Sequence, residues 1–241
     1  MNQEIIERFI NHWRKDAFME LLLILFFSYC IILGLFYNHK KKERLLFLAY
    51  FFVGTILFVS LDLVIAFKLL TGKIYYIYIE VANTIFELAE FTAFYYFFKA
   101  CLQRKIFKKT SKIFLAILLS IIIFFFIGLS FIEYSQTAIK RHSLFINVIE
   151  LFFLFTMCLA YFYELLTNIP KTNLFQRPSF FIVASTFFYT ALIIPFFMLA
   201  DDILKISASI YTILYAWHYL LLIIVLFSIS KAFLCRTPIT T

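Results

Sequence analysis

Residues that turn a chain are nearly missing from this sequence. Glycine and proline occur four times each in 241 positions, too few for hairpins, glycine-rich loops or flexible linkers. Charge is scarce as well, at 15% of residues against about 25% in an ordinary soluble domain. Hydrophobic residues fill 64% of the chain, where about 45–50% is usual. A soluble fold of this length must cover a large outer area with polar groups, and this chain does not have them. Its mean hydropathy of +0.94 points to a bilayer as the solvent.

Residues that carry chemistry are equally sparse. The four cysteines, Cys30, Cys101, Cys158 and Cys235, show no metal spacing and no disulfide framework. Cys30 and Cys158 fall inside apolar runs and read as small buried thiols; Cys101 and Cys235 fall at helix ends, where acylation is chemically open. The four histidines, His12, His39, His142 and His218, are too dispersed for a metal centre, and no HExxH segment occurs. There is no Gly-x-Ser-x-Gly element, no phosphate-binding loop and no dinucleotide fingerprint. Lys205 and Lys231 border the last apolar run, so no mid-membrane lysine is available to hold retinal. The expectation is a protein without catalysis, metal or cofactor.

No unit of 20–50 residues repeats, and no low-complexity segment stands out, so one domain is expected. The opening MNQEIIERFINHWRKD mixes acids with bases and is not a signal peptide. Ile5, Ile6, Phe9, Ile10 and Trp13 recur at helical spacing, which predicts an interfacial amphipathic segment over residues 1–16. A hydrocarbon core about 30 Å thick needs roughly 20 apolar residues as a helix. Seven stretches qualify: 17–37, 45–67, 74–100, 112–132, 144–166, 178–200 and 206–233. The predicted fold is all-α, a polytopic bundle of seven transmembrane helices over 17–233, followed by a short cytoplasmic tail at 234–241. The polar connections are HKKKER (39–44), QRKIFKKTSK (103–112), KRH (140–142) and NIPKTNLFQRP (168–178). Of the 22 Lys and Arg residues, 14 fall on the side of the first, third and fifth connections and the C-terminus. That bias places the C-terminus in the cytoplasm and the N-terminus outside, in a bacterial inner membrane. The net charge of +8 therefore meets lipid phosphates, and nothing suggests nucleic acid.

Ionisable groups inside a span are costly, so each one is a functional candidate. The third span, IYYIYIEVANTIFELAEFTAFYYFF, carries Glu80, Asn83, Glu87 and Glu90, which share an arc of roughly 80° at 100° per residue. Such a stripe should face the bundle interior or a wet cavity. Partners come from other spans: Asp62 in the second, Asn147 and Glu150 in the fifth, Tyr189 in the sixth, and Tyr215 and His218 in the seventh. Helical phase and depth predict a polar pocket that opens outward, with Asp62, Glu80 and Glu150 in the outer half. Pro195 predicts a kink near Ala191–Pro195 that widens it. The plainer account is glue, with carboxyls hydrogen-bonded across helices for about 0.5–2 kcal/mol each. One glutamate would suffice for that, whereas for His218 a hydrogen-bonded structural role is favoured over a ligand role.

YFYELL at 161–166, Pro170, NLFQRPSFFIVASTFFYT at 173–190 and the glutamate face of the third span carry a resemblance over nearly the whole chain. They are similar to seven-helix membrane proteins common in Bacteroidota, which stand alone or serve as membrane input modules of sensor histidine kinases. The resemblance implies a bundle that detects something in or near the membrane and signals inward. The sequence ends in KAFLCRTPITT at the close of the seventh span, so the output is expected from a separate signalling partner or an oligomer, or the signalling role has been lost. The leading expectation is a sensory or ligand-binding protein; the alternative is a small transporter or a proton or cation pathway, with a structural or assembly role or an enzyme behind them.

Overall fold

The structure, a computed structural model, describes residues 18–37, 42–67, 72–131, 136–167, 174 and 177–234. These form seven α-helices: α1 Phe18–Tyr37, α2 Lys42–Phe67, α3 Gly72–Cys101, α4 Lys105–Phe131, α5 Gln136–Thr167, α6 Pro178–Ile206 and α7 Ala208–Leu234. No strand occurs among the described residues. The interfacial segment read at 1–16, and the tail apart from Leu234, lie outside them.

Each expected apolar run is a helix, and α2 to α6 are longer than their runs. The basic stretch 103–112, read above as a connection, is mostly the start of α4, and KRH at 140–142 lies within α5. Neither stretch contains Gly or Pro to stop a helix, and Lys, Arg, Gln and Ile all tolerate one. The 32 residues of α5 span about 48 Å at 1.5 Å per residue, well beyond a hydrocarbon core of about 30 Å. α6 runs unbroken through Pro195.

Six helices close a ring in the order α1, α2, α3, α5, α6, α7 and back to α1, while α4 packs outside it against α3 and α5. The closure between α1 and α7 includes Cys30 Sγ 2.9 Å from Ser230 Oγ. Between α5 and α6, Tyr161 Oη lies 2.9 Å from Ser179 Oγ. Four helices hold segments long and apolar enough to cross a membrane, at Phe47–Ile65, Phe145–Thr167, Pro178–Ala200 and Ser209–Ala232, and α1 has a shorter apolar run at Leu21–Leu35. Large apolar side chains such as Ile56, Phe124, Leu166, Phe188 and Phe227 are exposed around the ring. So much exposed apolar surface needs lipid against it; the chain is a membrane-embedded helical protein.

The ring interior is divided along its axis. The C-terminal half of α3 buries Phe91, Phe94, Phe97 and Phe98 against Phe47, Tyr50 and Phe51 of α2 and Phe153 of α5. The rings interlock edge-on or tilted, with Phe91 and Phe153 centroids 4.2 Å apart and Phe47 and Phe94 centroids 5.5 Å apart. Gly54 gives α2 room for this packing: a Cβ there would lie 3.1 Å from both the Phe27 and the Phe86 rings. This aromatic block forms a floor, and the polar residues gather beyond it.

Candidate functional site

A cavity of about 140 Å³ lies among α2, α3, α5, α6 and α7. One wall is acidic. α3 contributes Asn83, Glu87 and Glu90, and α5 contributes Asn147 and Glu150. The lining polar residues are four and three positions apart on α3 and three apart on α5, so one face of each is turned inward. The opposite wall is aromatic, with Tyr189 and Phe197 from α6 and Tyr215, His218 and Tyr219 from α7. On α3, α5 and α7 alike the lining covers seven residue steps, about 10 Å along the axis. Phe58, Phe86, Leu151, Leu154 and Leu222 complete it.

The carboxyls are deeply placed. Glu87 and Glu150 are each 4% exposed and Glu90 is buried too. Glu150 stands close enough to Glu90 and Glu87 for their charges to interact. Glu87 Oε2 and Glu150 Oε1 are buried with no hydrogen-bond partner. Tyr50, rising from the aromatic floor, puts its buried hydroxyl beside Glu90. On the aromatic wall, Tyr189 Oη is 3.4 Å from His218 Nδ1, and the His218 ring is packed by Phe197 at 5.3 Å, Tyr219 at 5.4 Å and Tyr215 at 5.9 Å between centroids. Tyr219 Oη donates to Tyr215 Oη over 3.3 Å. Tyr215, 37% exposed, both lines the cavity and reaches the surface of the bundle.

Of the nine residues singled out from the sequence, Asn83, Glu87, Glu90, Glu150, Tyr189, Tyr215 and His218 line this cavity; Asp62 and Glu80 do not. Both are buried, but Glu80 lies seven residues from Glu87, about 10 Å along α3, and Asp62 one turn beyond Phe58 on α2. They continue the acidic stripe toward the α2–α3 connection. Sequence reasoning missed Tyr50, whose one signal is a hydroxyl in the apolar run LFLAYFFVG. It also passed over Glu164, which is buried but far from the cavity: Gln103 N–H donates to its Oε2 over 2.8 Å and Arg104 N–H to its Oε1 over 2.7 Å. Among the described residues no group of three or more His, Cys, Asp or Glu side chains converges as a metal site would.

Comparison with protein-family models, with curated proteins and with solved structures finds no match for this chain.

Proposed function

We propose that the chain is a seven-span, non-catalytic protein of a bacterial inner membrane, with its N-terminus outside and its C-terminus in the cytoplasm. It binds a ligand in the acidic cavity and passes that event to a separate signalling partner or a second copy. The observation that carries this reading is the pair of buried oxygens, Glu87 Oε2 and Glu150 Oε1, at one cavity without hydrogen-bond partners. Carboxyls that serve only as glue are expected to close on one another or on a hydroxyl. A buried oxygen left unbonded costs about 1–3 kcal/mol, which a ligand at this place offsets.

Native mass spectrometry of protein extracted from its own membrane tests this. Wild type is expected to carry a small molecule that Glu87→Gln, similar in shape but unable to ionise, does not. If Glu87→Gln is silent and Glu87→Leu merely destabilises, the carboxyls are glue and the proposal falls.

The alternative, a proton or cation pathway, draws support from the acidic stripe that continues through Glu80 and Asp62. Against it stands the aromatic floor, where Phe91, Phe94, Phe97 and Phe98 are at most 1% exposed, because a pathway would need to continue there. Proteoliposomes with and without a pH gradient separate the two readings: flux that depends on Glu87 favours the pathway, and its absence favours the binding protein.

A further inference from the structure

We propose that the ligand is a small organic ammonium, with its charged head between Glu87 and Glu150 and a compact apolar body against the Tyr189–Phe197–His218–Tyr219 wall. This rests on the reading of the cavity as a binding site and adds the chemical class of its occupant.

Three features lead to that class. The first is the pairing of the walls. Two carboxyl-bearing helices face two helices that present aromatic rings, and an ammonium is attracted both to carboxylates and to ring faces. Among the described residues no Lys or Arg lines the cavity, so a carboxylate there has no cationic partner among them. A buried charge without a partner is strongly disfavoured, and a cationic ligand supplies what the lining lacks. The same acidity repels phosphates and carboxylates.

The second is size. At about 140 Å³ the space is close to an engineered apolar cavity of about 150 Å³ that holds benzene. It fits a ring or short branched chain of about six heavy atoms with an amine attached, and it is too small for a sugar chain or a nucleotide. The third is coordination. Hard metal ions such as calcium take 6–8 oxygen ligands, whereas the acids here do not converge as a metal-binding group among the described residues. An ammonium needs only three acceptors and leaves room for Asn83 or Asn147 to supply one.

The test is a thermal-shift titration of the full chain in detergent with benzylammonium chloride. Benzyl alcohol serves as the neutral counterpart, with NaCl and KCl at matched ionic strength. Benzylammonium at about 100 times its Kd is expected to raise the wild-type Tm by about 5 °C or more, while the alcohol and the salts leave it unchanged. Glu87→Gln and Glu150→Gln are each expected to weaken binding by about tenfold or more. If either variant fails to fold, the wild-type contrast between amine and alcohol still decides. Equal stabilisation by benzyl alcohol, stabilisation by Na⁺ or K⁺ alone, or no response to the ammonium overturns the proposal. A neutral or anionic molecule retained by wild type and lost in Glu87→Gln would overturn it while leaving the binding-site reading intact. If no molecule is retained and the ammonium has no effect, both fall.

Discussion

At Glu164, two backbone N–H groups of the α3–α4 connection, from Gln103 and Arg104, end on one buried carboxylate of α5. Hydrogen bonds to a charged group contribute about 1.5–3 kcal/mol, so Glu164→Ala is expected to lower stability by about 2–3 kcal/mol in a denaturation titration in micelles. Arg104 stacks its guanidinium 4.7 Å from the Tyr163 ring centroid and donates to Tyr163 Oη and Thr167 Oγ1 over 3.3 and 3.2 Å, but it does so at the exposed surface. Arg104→Ala should therefore cost under about 1 kcal/mol; a larger loss than for Glu164→Ala would reverse this ranking. Cysteine accessibility follows burial in the same way. With Cys235 replaced by Ser, maleimide is expected to label Cys101, which is half-buried, well before the buried Cys30 and Cys158. Prompt labelling of Cys30 would mean that the α1–α7 seam opens. The burial of Cys30 and Cys158 was readable from their apolar runs, but the Glu164 contact was not, because Glu164 and Arg104 are 60 positions apart and only the fold brings them together.

Among elements, the α6–α7 pair shows what the residue count alone could not. Ser207 is the one non-helical residue between helices of 29 and 27 residues. Its N–H donates to Ile203 O over 2.9 Å, and its hydroxyl accepts from Ile210 N–H at 3.3 Å, so it ends one helix and caps the next. Ser207→Ala is expected to cost about 0.5–2 kcal/mol through the lost cap. Ser207→Pro should cost more, because φ of −159° is outside the range of a proline ring and the donor to Ile203 disappears. Equal effects of the two changes would show that the cap, not the backbone, sets the turn. The α3–α5 contact offers a second comparison. Inside a membrane, lipid is as apolar as the core, so removing a buried ring loses packing without the usual transfer term. Phe153→Ala is expected to cost about 1–3 kcal/mol, and its neighbour Phe152→Ala, 43% exposed, close to nothing. A large effect at Phe152 would place that face of α5 against protein rather than lipid.

For the whole molecule, orientation is the first thing to measure. A reporter fused after Thr241 is expected to read as cytoplasmic, and cysteines placed in 133–142 to be labelled from outside; the reverse result would move the cavity to the other half of the bilayer. The presence of the helices was legible in the sequence because hydrophobic run length depends on local composition and membrane thickness, not on partners. The inward face of α3 was legible for the same reason: costly carboxyls at helical spacing can only be turned away from lipid. Helix ends were less legible, since the segments 105–112 and 140–142 are polar and helical at once. The order of the ring was not legible at all. Nothing local says that α3 packs directly on α5 while α4 is left outside, yet that contact is what sets Glu150 against Glu87 and Glu90. The sequence by itself determined that the polar groups of α3 would be turned inward and buried. The tertiary structure decided which of them share a cavity, because that depends on long-range packing of rings such as Phe91 against Phe153, for which a linear pattern carries no signal.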